Sequence, residues 1–159
     1  MAFTPLSIAA QFGNLQEVIA LIKAGYDINV SNHNGSTSLH LSAQNGHDGV
    51  VKALIAANVE INKTDYIGWT PLLLAIEYGH ETTVQILIEA GADTNKASYS
   101  GMTPLFNAKL KGRETILRML ADLRIWVLIQ VDVPRGQEAL LRCYCAYSWV
   151  WSFCGIWFI

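Results

Sequence analysis

Cysteine is missing from the first 142 residues of this 159-residue chain; Cys143, Cys145 and Cys154 all lie near its end. That absence fits a reducing compartment. Three thiols with no fourth ligand at a recognised spacing do not make a zinc site either, so they read as unpaired cysteines in an apolar tail. Charge is also scarce, at 15% of residues with a net −2. Without a basic stripe, nucleic acid is not expected as a partner. The opening Met1-Ala2-Phe3-Thr4-Pro5 has no positive segment and no uninterrupted apolar run, so no secretory signal is expected. Equally absent are a nucleophile elbow, a phosphate-cradling glycine loop and a paired-carboxylate motif. The expectation is a chain without catalytic residues, cofactor or metal.

What is present is a unit that returns every 33 residues. Thr4-Pro5-Leu6, Thr37-Ser38-Leu39, Thr70-Pro71-Leu72 and Thr103-Pro104-Leu105 are one period apart. Nine residues after each threonine stands a glycine: Gly13, Gly46, Gly79 and Gly112. Further columns hold Gly25, Asn58 and Gly91; Asn29, Asn62 and Asn95; Gly35, Gly68 and Gly101. Such a period signifies stacked supersecondary units.

Within each unit a first apolar segment, such as Ser38 to Asn45, suits a buried helix that its glycine ends. A second segment carries Val18, Val51, Val84 and Leu117 in one column, and Leu21, Leu54, Leu87 and Leu120 three residues on. Ile22, Ile55 and Ile88 follow, completing an i, i+3, i+4 stripe. Beside the valine column stand Ile19, Lys52, Gln85 and Arg118, mostly polar, which marks the wet face. The spacing predicts second helices near residues 15–24, 48–57, 81–90 and 114–122. Neither helix could bury its stripe alone, so units must stack.

The pattern resembles the ankyrin repeat, whose signature is Thr-Pro-Leu-His-x-Ala at this period. The closest match runs from Gly35-Ser36-Thr37-Ser38-Leu39-His40 through Gly46-His47 and Val50-Val51; Gly68-Trp69-Thr70-Pro71-Leu72 with Gly79-His80 gives a second. The motif histidine survives only as His40, with Ser7, Leu73 and Phe106 elsewhere, and no hairpin precedes the first unit. The resemblance implies an all-α solenoid of helix-turn-helix units joined by hairpin-like linkers. Its repeat domain would span 1–121, with repeats about 2–33, 34–66, 67–99 and 100–121. His40 is implied to tie its repeat to the neighbour, and His47 and His80 to serve structural hydrogen bonds.

After Leu120 the register predicts a glycine near 124 and an asparagine near 128, where Arg124 and Leu128 stand. Residues 122–159 form an atypical tail rich in aromatic residues and cysteine, and Cys143 to Ile159 has no charge. Three readings stay open. The tail could cap an apolar edge around Ile116, Met119 and Leu120. It could anchor the chain in a membrane, although 17 helical residues reach only about 25 Å against a core of roughly 30 Å. Or it could be the product of a frame-shifted or alternative terminus.

The resemblance also implies a concave partner-binding surface built from linker tips and first helices. The tip positions are His33, Asn34 and Ser36; Tyr66, Ile67 and Trp69; Tyr99, Ser100 and Met102. The first-helix positions are Gln44 and Asn45, Glu77 and Tyr78, Leu110 and Lys111. Tyr66, Trp69, Tyr78 and Tyr99 would come to one surface, and such rings concentrate binding energy. The candidate partner-binding residues are therefore Tyr66, Ile67, Trp69, Glu77, Tyr78, Tyr99, Met102, His33 and Asn34. The expected function is a monomeric cytoplasmic module that binds another protein as adaptor, scaffold or inhibitor. The alternative is a membrane-tethered adaptor held by Cys143 to Ile159.

Overall fold

The computed structural model describes residues 4–121. Seven helices have defined bounds: α1 Pro5–Gln11, α2 Leu15–Lys23, α3 Ser38–Gln44, α4 Asp48–Ala56, α5 Pro71–Tyr78, α6 Glu81–Glu89 and α7 Pro104–Leu110. An eighth, α8, begins at 114 and reaches residue 121, and no strand occurs among the described residues. The architecture is an all-α repeat solenoid of four helix pairs.

Each first helix starts for the same local reason. Thr4, Thr70 and Thr103 are extended N-cap residues whose hydroxyls accept the N–H of Ser7, Leu73 and Phe106 at 3.1–3.2 Å. A proline follows at N1, where the missing N–H costs nothing. Unit two has Ser38 in place of proline and caps differently: the Thr37 backbone N–H donates to His40 Nδ1 at 3.1 Å. The first-helix glycine then reverses the chain, as at Gly79, which is left-handed with φ 79°. Asn58 takes the corresponding role at the end of a second helix with φ 61°, the non-glycine best suited to that region.

Helices of seven to nine residues are too short to persist alone in water, so stacking sustains them. First helices pack in the order α1, α3, α5, α7, and second helices in the order α2, α4, α6. One continuous core runs between the rows. Val18, Val51, Val84, Leu54, Leu87 and Leu120 are buried in it, whereas Lys52, Gln85 and Arg118 are exposed. Leu21, from the same column as Leu54, is only half-buried, because α2 has a second-helix neighbour on one side alone.

Ile116 and Leu120 are members of the core, as their i, i+4 spacing on α8 allows. The exposed apolar side chains of the fourth unit are Phe106 and Leu110, on α7. None of the helices among the described residues is long and apolar enough to cross a membrane. The anchor segment Cys143 to Ile159 and the other tail readings lie outside those residues.

Candidate partner-binding face

The linkers are built by one recurrent turn. Asn32, Asp65 and Ser98 are buried at its start, and each side-chain oxygen accepts backbone N–H groups across the tip. Asn32 Oδ1 takes Asn34 and Ser36 at 2.9 and 3.0 Å, Asp65 Oδ1 takes Ile67 and Trp69 at 3.1 and 2.8 Å, and Ser98 Oγ takes Met102 at 3.1 Å. Backbone bonds Asn32 N to Ser36 O, Asp65 N to Trp69 O and Ser98 N to Met102 O close each hairpin-like loop. These residue types favour turns because their short polar side chains satisfy local amides. Sequence reasoning missed this column, although its period was readable.

Successive linkers are laced together. Asn29 Oδ1 accepts Glu60 N at 3.0 Å and Asn62 Oδ1 accepts Asp93 N at 2.8 Å. Lys63 and Lys96 ammonium groups donate to the Asn29 and Asn62 carbonyls at 2.8 and 2.7 Å. At the tips, Tyr66 N donates to Asn34 O at 3.0 Å and Tyr99 N to Ile67 O at 3.2 Å. His40 adds a deeper tie. Its Nδ1 accepts from Thr37, so Nε2 carries the proton and donates to Trp69 O at 3.2 Å. Burial lowers the pKa of this ring, opposed by the Trp69 carbonyl and by nearby Asp65.

The candidate side chains thus stand on fixed backbone. Tyr66 is 70% exposed, Ile67 62%, Tyr78 51% and Tyr99 76%. His33 and Asn34 are exposed at the first tip, while Trp69, Glu77 and Met102 are half-buried. The geometry brings Asn34 to Tyr66 and Ile67 to Tyr99. On the first-helix row, Tyr78 OH accepts from Gln44 Nε2 at 3.1 Å, and Glu77 pairs with Lys111. No hydrogen bond joins Tyr78 to the tip tyrosines.

Two exposed apolar residues of the first unit were missed, Ile8 and Phe12, the latter 75% exposed. Their columns, Ile8 with Leu41 and Leu74, and Phe12 with Asn45 and Tyr78, could have revealed them. Phe106, in the motif-histidine column, is exposed where His40 and Leu73 are buried.

His47 and His80 lie on the other side of the units. Each is the N-cap of a second helix, and its Nε2 donates to a carbonyl of the previous unit: His47 to Gln11 at 3.0 Å, His80 to Gln44 at 2.9 Å. The rings rest on Gly13 and Gly46 so closely that a Cβ there would collide at 2.7 and 2.5 Å. No group of three metal-ligating side chains comes together among the described residues.

A family model described as ankyrin repeats (3 copies) matches residues 2–65 and 58–133. This chain belongs to the ankyrin-repeat family. The match extends past Leu120, where the threonine and glycine columns stop. No curated protein matches the chain. Ankyrin repeats are generally protein–protein interaction modules and typically lack catalysis. In this ankyrin stack many polar groups of the tips and seams hold repeats together, and Tyr66, Tyr78 and Tyr99 present exposed rings to solvent.

Proposed function

We propose that residues 1–121 form a non-catalytic module that binds another protein through its linker tips and first helices. The observation that carries this reading is the set of exposed rings on pinned backbone. Tyr66, Ile67, Tyr78 and Tyr99 are largely exposed, yet the Tyr66 and Tyr99 amides are bonded to the preceding turns, the Ile67 amide to Asp65, and Tyr78 stands on α5. Large amphipathic side chains on a rigid frame bind with little ordering cost. The half-buried Trp69, with both its N–H and its carbonyl engaged, is the anchor of this face, supported by Glu77, Met102, His33 and Asn34. The module acts as adaptor, scaffold or inhibitor, as a monomer in the cytoplasm; residues 122–159 are a separate tail.

The test is affinity capture with the full chain, followed by measurement on the partner recovered. Trp69→Ala should weaken that partner by about 2 kcal/mol or more, the usual hot-spot threshold, without unfolding the protein. Lys52→Ala, on the exposed face of α4, should leave affinity alone. Equal losses at both positions, or unfolding without the Trp69 ring, would show that the partner docks elsewhere.

A further inference from the structure

The chain holds two Asn-Gly pairs, Asn34-Gly35 at the first linker tip and Asn45-Gly46 at the end of α3. Such a pair is able to modify itself. Glycine has no Cβ to keep its nitrogen away from the preceding asparagine side chain, and that nitrogen can displace ammonia from the side-chain amide to close a succinimide ring.

The fold treats the two pairs differently. Asn45 Nδ2 donates to Leu41 O at 2.8 Å, which draws the side chain back along α3. His80 donates to Gln44 O at 2.9 Å and its ring abuts Gly46, where a Cβ would collide at 2.5 Å. The Gly46 N–H bond to Ala43 O is long at 3.4 Å, but the side chain and both flanks are fixed. Ring closure there requires the end of α3 to come apart. Asn34 instead is exposed in a linker turn. Its N–H donates to Asn32 Oδ1 at 2.9 Å, the Gly35 N–H donates to Asn32 O at 3.0 Å, and Asn34 O accepts from Tyr66 N at 3.0 Å. While these bonds hold, the Gly35 nitrogen is engaged with Asn32. Opening one surface turn costs less than opening a buried helix end.

We propose that Asn34 is a self-modification site gated by the lacing of the first tip. When the turn opens, the Gly35 nitrogen attacks Asn34 Cγ. The N–Cγ bond forms, the Cγ–Nδ2 bond breaks, and the amide proton leaves with ammonia. Water then opens the succinimide, at Cγ to give aspartate or at the former backbone carbonyl to give isoaspartate. No electrons are exchanged, and water is the co-reactant. Either product adds a negative charge to the tip. Isoaspartate also routes the main chain through Cβ and Cγ, so one more atom separates residues 34 and 35. Gly35 is then displaced from the Tyr66 ring that now lies against it, and the carbonyl that accepted Tyr66 N becomes a branched carboxylate. The first tip is thereby unhooked from the second. Asn34 stands on the face proposed above for a partner, but the reaction does not depend on that reading.

The experiment holds the full chain, folded and in urea, in warm, mildly alkaline buffer. Conversion of amide to acid is followed by fragmentation mass spectrometry of the tryptic peptide 24–52, which carries both pairs. In urea the two asparagines should convert at similar rates. In the folded chain Asn34 should convert about tenfold or more faster than Asn45, to a product that an isoaspartyl methyltransferase accepts. Asn32→Ser places there the residue of the fourth linker, Ser98, whose hydroxyl accepts the amide four residues on. It should speed Asn34 about fivefold, the effect of losing one such bond, and leave Asn45 unchanged. Asn32→Asp, the residue of the third linker, keeps both acceptors and should leave the Asn34 rate as in the parent. In the isoaspartate form the Tyr66 amide should lose its protection from hydrogen exchange while the Leu54 amide keeps it. Equal folded rates at the two asparagines, or an intact Asn34 after the unfolded chain has fully converted, would overturn the proposal. So would equal acceleration of Asn34 and Asn45 by Asn32→Ser, no acceleration of either, or a Tyr66 amide as protected after conversion as before.

Discussion

The seam between the second and third units and the seam between the third and fourth use the same positions but differ in chemistry. On the first, His80 donates to Gln44 O, His40 to Trp69 O, and Thr82 and Thr83 both donate to the Asp48 carboxylate. On the second, Arg113 replaces the imidazole over Gly79, and Leu73 replaces the motif histidine. The only buried side-chain atoms without a hydrogen-bond partner among the described residues are Asn107 Oδ1 and Arg113 Nε, both from the fourth unit. The linkers that lead into the second, third and fourth helix pairs are laced one to the next, through Asn29 with Lys63 and Asn62 with Lys96. Apolar stacking and the linker ladder thus suffice to hold a unit, while the buried polar ties set how firmly it is held.

The apolar part of that contrast predicts the largest effect. Leu54 lies on α4 with second-helix neighbours on both sides and is buried in the core. Leu54→Ala should cost about 2–5 kcal/mol in denaturant unfolding. Lys52→Ala, exposed on the same helix, should change stability by no more than about 0.5 kcal/mol. Comparable losses at the two would mean that the stack does not rest on the stripe.

The polar part predicts repair. Asn107 is fully buried and shares a column with Ile8, Leu41 and Leu74; its one bond, Nδ2 to Leu73 O, is long at 3.4 Å. Asn107→Leu removes an orphaned acceptor and should raise stability by about 1–2 kcal/mol. Arg113→His would restore the residue that stands at positions 47 and 80, with Nε2 aimed at the Glu77 carbonyl. The expected gain is about 1 kcal/mol, read as a higher denaturation midpoint with an unchanged slope. Losses in both variants would show that the fourth unit depends on these groups as they are.

The helix pairs were legible because three kinds of column agreed. Threonine N-caps mark the starts, glycines the reversals, and the valine–leucine stripe the buried side, so the first three expected second helices end only one residue beyond the observed ones. The seams were less legible. A periodic reading treats Asn107 as one more first-helix position; only the packing of α7 against α5 shows that its amide is enclosed. Phe106 was readable as a departure from the motif, but not its exposure, which depends on what covers the α7 start. His40 needs the third dimension as well, because its acceptor, Trp69 O, is 29 residues away.

That histidine gives the last and smallest prediction. In the folded protein burial holds the His40 pKa below its ordinary value of 6.5, against the pull of Trp69 O and Asp65. Between the folded and unfolded values the unfolded chain binds more protons, so acid favours unfolding. The contribution is complete above about pH 6.5 and is lost as pH falls through that value toward the folded one. A single proton limits the slope to about 1.4 kcal/mol per pH unit, and the loss between pH 7 and pH 6 to less than about 1 kcal/mol. His40→Leu, which places in the second unit the residue the third already uses, should lower stability at pH 7.5 through the lost Trp69 bond. It should also flatten the dependence on pH between 7.5 and 5.5 relative to the parent. Parallel stability curves for the two proteins would show that His40 does not carry the acid sensitivity, and that the second seam owes its firmness to other ties.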